Sequence, residues 1–237
     1  MARLPRLSIP GLPHHVLLRG NNGQAVFVDD DDRRLLLDIL LAYAAECTVS
    51  LHAWVLLPDG LQLLLTPQTA DGLSRFMQSV GRKYTRQFNL RHGRSGTLWE
   101  GRYRSTVLQP ERYLIPCMVS MDTLPVRSGL VSEPLAHVWS SHAHHVGRVS
   151  DRRLVAHPVY WQLGNTPFAR EAAYAARVAE GVSAADAQAL GQASQHGWVL
   201  GDAAFVEALQ GQADRRLTRA AAGRPAGSRK GRDLPLD

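Results

Sequence analysis

Two apolar runs separated by a short turn constrain this chain more than any other feature. Residues 50–57, "SLHAWVLL", and residues 61–67, "LQLLLTP", flank the turn-forming residues "PDG". Because both runs are short, apolar and bounded by turn residues, they predict two strands joined in a hairpin. One polar residue, Gln62, interrupts the second run. The pattern therefore predicts a buried sheet that carries one unexplained polar side chain.

The segments before the hairpin predict a strand and a helix. Residues 14–23 predict a strand that runs into an Asn- and Gly-rich turn. Residues 29–47 predict a helix that begins at a run of four aspartates. Carboxylates at this position cap free N–H groups and suit the positive end of the helix dipole. A metal site is the alternative interpretation of the same acidic run.

The segments after the hairpin repeat this order. Residues 71–93 predict a second helix, because apolar residues recur at three- and four-residue steps. Residues 96–109 predict a strand and residues 110–130 a helix, which Pro116 should kink or shorten. Strand, helix, strand, strand, helix, strand is the order of an α+β, ferredoxin-like βαββαβ sheet with helices on one face.

Composition divides the chain into three parts. Residues 1–150 hold the predicted sheet, and the alanine-rich residues 151–217 predict a small helical extension. Residues 218–237 are rich in Gly, Ala, Pro and Arg, have no apolar periodicity, and predict a disordered basic tail.

The cysteines and the absence of long apolar runs indicate a cytoplasmic protein. Cys47 and Cys117 are far apart in apolar contexts, which predicts two buried free thiols in a reducing compartment. No apolar run approaches the roughly 20 residues that cross a bilayer. The first residues lack the continuous apolar segment of a secretion signal.

Basic residues are concentrated in two stretches of a chain whose net charge is +6. Residues 82–104 hold seven Arg and Lys against one acid, Glu100, and aromatic residues are interleaved among them. Residues 215–232 hold seven more and no acid. Two dense basic clusters on a near-neutral body predict binding to a polyanion, most simply nucleic acid.

Several motifs, taken in order, resemble a known family. They are "PGLPHHVLLRGN", an acidic helix start, "LHAWVLLPDGLQLLL", "GRKYTRQFNLRHGRSGTLWEGRYRS", "LPVRSGL" and "VWSS". In this order they resemble the REP-associated tyrosine transposases of the HUH single-tyrosine superfamily. The resemblance spans residues 5–165, and "HPVYWQLG" and "GWVLGDAAF" resemble the helical extension of longer members.

The family's chemistry depends on four positions, and this chain departs from the pattern at each. In typical members a His-hydrophobic-His pair in "PNHYHLL" holds Mg²⁺ or Mn²⁺, which polarises the scissile phosphate of single-stranded DNA. A tyrosine in "YIHLNPVRAG" attacks that phosphate, and the asparagine completes the metal site. Here Gly60 and Gln62 stand at the histidine positions, Ser120 at the tyrosine position and Leu124 at the asparagine position. The resemblance therefore implies that catalysis is lost and that no metal cofactor is held, apart from weak binding of Mg²⁺ or Mn²⁺ by the amide oxygen of Gln62.

Other residues offer only weak substitutes for these groups. Tyr113 lies seven residues before Ser120, about 10 Å along a helix, and Tyr103 lies on the preceding strand. A cluster in "SSHAHHVG" is expected to lie at the surface or to contact DNA, with metal binding as the alternative. His14, His15 and His52 are expected to be packed or hydrogen-bonded structural residues.

The DNA-binding apparatus of the resembled family is retained in this chain. Arginine and lysine bind phosphates, and aromatic rings stack on bases or pack in the core. For Trp99 both roles stay open. The residues expected to contact DNA are Arg19, Asn21, Arg82, Lys83, Arg86, Arg91, Trp99, Arg102 and Arg104.

The sequence predicts a protein that binds single-stranded or hairpin DNA without cutting it. An active transposase or nickase with a rearranged site, using Ser120 or a displaced tyrosine, is the alternative. A protein-binding or RNA-binding role, or a decaying gene product, is a third. The resemblance further implies a homodimer associated with the nucleoid.

Overall fold

The computed structural model describes residues 7–213 and 215–218. Four strands form one sheet: β1 (His14–Arg19), β2 (Val49–Leu57), β3 (Gly60–Pro67) and β4 (Arg104–Val107). The longer helices of the described part are α1 (Asp30–Glu46), α2 (Gly72–Arg91), α3 (Pro110–Asp122), α7 (Pro167–Glu180) and α8 (Ala184–His196). The shorter ones are α4 (Leu124–Arg127), α5 (His142–His145), α6 (Pro158–Trp161) and α9 (Ala203–Gln210).

The sheet has the strand order β2-β3-β1-β4, and each neighbouring pair is antiparallel. This is the ferredoxin-like arrangement that the order of elements predicts. The α+β class and the hairpin of β2 and β3 are thereby confirmed. A register shift between Leu51 and Ala53 leaves His52 as an extra residue in β2.

Both faces of the sheet are buried, which explains why β3 is apolar at successive positions. Leu63 and Leu65 belong to a core formed with α1 and α2, where Leu36 and Phe76 are fully buried. Leu64, between them, belongs to a second core formed with α3 and the later helices. Side chains of a strand alternate between faces, so this separation follows from the pleat.

The later helices pack on the second face instead of standing apart from the sheet. Tyr174 of α7 and Leu190 of α8 share a core with Leu114 of α3 and Val55 of β2. Helices therefore cover both faces of the sheet, whereas the sequence predicted one. The division at residue 150 stays a prediction about domains.

Segments that follow the sheet in the chain also cover its edges. At β2, the N–H of Leu56 donates to the carbonyl oxygen of Trp139 at 2.9 Å. At β4, the carbonyl oxygen of Val107 accepts from the N–H of Leu200 at 2.8 Å. Exposed strand edges are templates for pairing with another chain, so these contacts shield the sheet from edge-to-edge association.

Three local predictions have clear outcomes. Asp29 caps α1 by accepting from the N–H of Asp32 at 3.0 Å, which confirms the capping interpretation of the aspartates. Helix α3 continues through Pro116 and ends six residues later, so the proline does not shorten it there. The strand predicted over residues 96–109 is wrong for its first half, because β4 begins only at Arg104 and Gly101 adopts a positive φ of 69°.

Cys47 and Cys117 are buried and free, as predicted. Within the described residues, no helix is long and apolar enough to span a membrane. The tail predicted to be disordered lies outside the described residues, apart from position 218 at its start.

Candidate functional site

Gly60 and Gln62 lie near the start of β3, and Gln62 carries its side chain on the second face of the sheet. Gln62 pairs with Leu17 of β1, and Gly60 pairs with Arg19 at the end of the same strand. Because side chains two residues apart share a face, His15 and Arg19 of β1 lie on this face as well. Gly60 and Gln62, which stand at the histidine positions of the resembled family, are therefore adjacent to the basic end of β1.

The backbone at Gly60 leaves no room for a side chain. A Cβ atom there would stand 2.5 Å from the carbonyl oxygen of Leu18 and 3.2 Å from the Cα of Arg19. Both neighbours are backbone atoms of β1, so neither can rotate away. A histidine at position 60 therefore requires β1 and β3 to separate.

A hydrogen bond to His15 explains why the apolar strand β3 tolerates Gln62. The Nε2 atom of His15 lies 2.9 Å from the amide oxygen of Gln62, and its Nδ1 atom lies 3.0 Å from the hydroxyl of Ser194 in α8. With Nε2 protonated, His15 donates to Gln62 and accepts from Ser194. Burial lowers the pKa of His15 to about 4, while its bond to Gln62 acts in the opposite direction.

Ser120 and Leu124 approach from α3 and α4. The Arg127 guanidinium donates to the backbone oxygen of Ser120 at 2.7 Å and to its hydroxyl at 3.1 Å. A guanidinium is a donor and not a base, so it does not activate a serine for attack. In the described part of the chain, no other side chain hydrogen-bonds this hydroxyl.

These groups line a cleft of about 440 Å³, here called the basic cleft, between the sheet, α3 and α8. Gln62, Ser120 and Leu124 all lie in its wall, and α8 contributes residues including Gly191 and Ser194. Within the described part of the chain, the one acid that lines it is Glu100. Its arginines are Arg19, Arg102, Arg104 and Arg127. The structure therefore brings three of the four positions taken from the resembled family together with three arginines expected to contact DNA, whereas Gly60 does not line the cleft.

Backbone contacts explain why distant arginines meet here. The N–H of Glu100 donates to the carbonyl oxygen of Arg19 at 2.8 Å, and the N–H of Asn21 donates to Leu98 at 2.9 Å. Gly20 and Trp99 form an isolated β-bridge. The predicted residues Arg19 and Asn21 are thus adjacent to the segment that carries Arg102 and Arg104.

A second cleft, here called the α2 cleft, lies on the other side of this segment. It also has a volume of about 440 Å³ and lies between α2 and residues 99–103. Trp99, Arg82 and Arg102 line it. Trp99 is 8% exposed, and its ring packs against Tyr84 at 5.7 Å between centroids. Trp99 is therefore largely a core residue whose remaining surface faces a cleft.

Four of the predicted DNA-contact residues lie on α2, including Arg82 of the α2 cleft. Arg82, Lys83 and Arg86 are exposed. Arg91, at the end of the helix, instead contacts the aspartates at the start of α1. Its guanidinium lies 2.6 Å from Asp29 and 2.7 Å from the buried carboxylate of Asp32. The hydrogen bond from Arg91 holds the pKa of Asp29 at about 2.

The expectation that the histidines of "SSHAHHVG" lie at the surface is wrong for two of the three. His142 and His145 are buried, and His144 is half-buried. The Nδ1 atom of His142 lies 2.9 Å from the fully buried Asp122, which also accepts from the hydroxyl of Tyr174 at 2.7 Å. These contacts join α3, α5 and α7. The structural roles expected for His14, His15 and His52 are confirmed by their burial.

The donor set around Gly60, Gln62 and Leu124 does not fit a divalent metal. Glycine and leucine supply no side-chain ligand, and the one amide oxygen already accepts from His15. Across the residues described, no group of three or more His, Cys, Asp or Glu is arranged to hold a metal ion. Tyr113 is buried in the second core and does not line the basic cleft.

The fold matches that of a solved transposase. The structure of a REP-associated tyrosine transposase bound to a REP hairpin superimposes with a TM-score of 0.54 at 18% identity, over 67% of this chain and 93% of that one. This confirms the expected resemblance at the level of the fold. A putative transposase from Deinococcus radiodurans R1 matches at 24% identity over 50% of this chain and 96% of that one, with a TM-score of 0.35. No protein-family model and no curated protein matches the sequence.

Two parts of the site were missed in the sequence. Arg127 lies in the "PVR" motif, which anchored the comparison with the family but was given no role. Ser194 lies 179 residues from its partner His15. Position in the "PVR" motif could have indicated Arg127, whereas no local pattern marks Ser194.

Proposed function

We propose that this chain binds single-stranded or hairpin DNA in the basic cleft and does not cut it. The observation that carries the proposal is the cleft itself, where four arginines surround the positions of Gln62, Ser120 and Leu124. Arginines supply the phosphate contacts that dominate affinity for nucleic acid. The same wall offers neither a metal-ligand set nor an activated nucleophile. The protein acts in the cytoplasm on chromosomal DNA.

The shared fold supports the choice of DNA as the polyanion. The solved transposase that this chain resembles in fold is bound to a REP hairpin. The basic cleft of this chain supplies cations of the kind that bind a phosphate backbone. The biological role that follows is occupancy of DNA structures without strand transfer.

A gel-shift titration of a hairpin DNA with a single-stranded flank tests binding. If four phosphates are neutralised, affinity should fall about 50-fold between 50 and 200 mM salt. Replacing Arg19 and Arg104 by alanine should weaken binding and reduce this salt dependence. Arg152→Ala is the matched control, since Arg152 is exposed and does not line the cleft. Absence of binding by the unmodified protein at low salt would refute the proposal.

A cleavage assay tests the second half of the proposal. Labelled hairpin DNA is incubated with the protein and Mn²⁺ and separated under denaturing conditions. Uncut DNA and no covalent protein–DNA band are expected. A cleaved product, abolished by Ser120→Ala, would instead establish an active enzyme with a rearranged site.

A further inference from the structure

The α2 cleft combines the exposed edges of buried aromatic side chains with a rim of arginines. Trp99, Tyr103 and Met77 give it an apolar wall, and Arg75, Arg82 and Arg102 lie around it. Among the described residues, no Asp or Glu lines it. An aromatic wall with cations is the pattern that holds an unpaired base by stacking and its phosphates by charge.

The aromatic wall is fixed in place before any ligand arrives. The Trp99 indole N–H points to the carbonyl oxygen of Gly81 at 3.4 Å, and its ring packs on the fully buried Tyr84. Tyr103 is 8% exposed. A rigid ring loses little conformational entropy when a base stacks on it, so this wall favours binding.

The rim has charge available for a ligand. Arg82 and Arg102 are exposed and form no salt bridge with any described residue. Arg75 has a long contact of 3.6 Å with the exposed Asp71. Gln78 also lines the cleft and is exposed, and its amide offers both a donor and an acceptor to the edge of a base.

The two clefts adjoin each other, because Arg102 lines both. A strand whose phosphates occupy the basic cleft can therefore pass Arg102 and place a neighbouring base against Trp99. We propose that the α2 cleft binds an unpaired nucleobase of the same DNA strand that the basic cleft holds by its phosphates. This inference rests on the proposed function and adds a base-dependent contribution to it.

Gly81 gives a way to close the α2 cleft while keeping the fold. A Cβ atom at this position would lie 3.8 Å from Nε1 of Trp99, an ordinary van der Waals distance. Alanine therefore fits, and a longer side chain extends beyond it into the space along Trp99. Replacing a glycine inside a helix also favours the folded state.

The test compares two single strands of about 12 nucleotides, one with bases and one made of abasic units with the same phosphates. Fluorescence anisotropy of the full chain should show at least about fivefold tighter binding of the strand with bases. Gly81→Leu should remove this preference and leave the affinity for the abasic strand unchanged. Gly81→Ala should reduce the preference partially, and decides the matter if the leucine variant does not fold.

The outcomes separate this inference from the proposed function. Equal binding of both strands by the unmodified protein, or a preference that survives a folded Gly81→Leu variant, overturns the base site and leaves DNA binding intact. Failure to bind either strand at low salt overturns the proposed function. Gly191→Leu should weaken binding of both strands together, because the leucine side chain would occupy space in the basic cleft. The fold should tolerate this change, since no atom lies within 4 Å of the Cβ position of Gly191.

Discussion

His15 and Gln62 lie on neighbouring strands with their polar side-chain atoms 2.9 Å apart, and Ser194 of α8 closes the other side of the imidazole. This contact couples β1 to a helix residue that lies 179 positions further along the chain. It also accounts for a polar side chain in an otherwise apolar strand, because a buried polar group is tolerated when it is hydrogen-bonded.

Removing this partner should destabilise the fold. Gln62→Leu leaves the buried Nε2–H of His15 without an acceptor, which costs about 1–3 kcal/mol. Urea unfolding measures the change. Gln68→Leu is the control, because Gln68 is exposed just beyond β3. Equal stability of the two variants would contradict the structural role of the His15–Gln62 contact.

Acidification should destabilise the protein through its buried histidines. Burial lowers the pKa of His14, His15, His52 and His145 to about 4 from the ordinary value of 6.5. Between these values the unfolded state binds more protons, so stability is full above pH 6.5 and falls as the pH drops toward 4.

The expected slope is up to about 1.4 kcal/mol per pH unit for each such histidine. Urea unfolding at pH 7, 6 and 5 measures it. His145→Gln should make the slope shallower, whereas His196→Gln should not, since His196 is exposed at the end of α8. A stability that stays constant over this range would refute the prediction.

Arg91 should matter for stability more than for DNA. Arg91→Ala removes the guanidinium that pairs with the buried Asp32 and should cost about 1–3 kcal/mol of unfolding free energy. Arg86→Ala, on the exposed surface of the same helix, should change stability by less than about 0.5 kcal/mol. A gel shift of both variants completes the comparison, since the opposite ranking would assign Arg91 to the DNA interface.

The covered sheet edges predict that copies of this chain do not pair strand to strand. Trp139 occupies the hydrogen-bonding edge of β2 at Leu56, and Leu200 that of β4 at Val107. Sedimentation equilibrium should give the mass of one chain. If it gives the mass of a dimer, the β2 amides of that dimer should exchange hydrogen equally slowly at high and at low protein concentration. Faster exchange at β2 on dilution would show a dimer built through that edge.

Local patterns were enough to predict much of the fold. The hairpin, the order of elements and the aspartate cap each depend on residues close in sequence, and all three are confirmed. The pattern failed at residues 96–103, where alternation predicted a strand. There Gly101 turns the backbone and Trp99 packs against α2, and neither is visible in alternation alone.

The candidate site was likewise predictable where it depends on local motifs and unpredictable where it depends on contacts between distant segments. The motif comparison placed Gln62, Ser120 and Leu124 together, and the structure brings them into one cleft. It could not predict that Ser194 would reach His15, or that Arg91 would pair with aspartates about 60 residues away. Contacts between distant segments leave no periodic trace in a single sequence.

Gly60 is a position where the fold itself disfavours substitution. Its missing side chain lets β3 approach β1 until the position of a Cβ lies 2.5 Å from the oxygen of Leu18. Any amino-acid substitution there adds that atom and strains the pairing of β3 with β1. A histidine at position 60 is therefore compatible with this fold only at the cost of stability, and the packing of β1 against β3 is by itself a reason for glycine at this position.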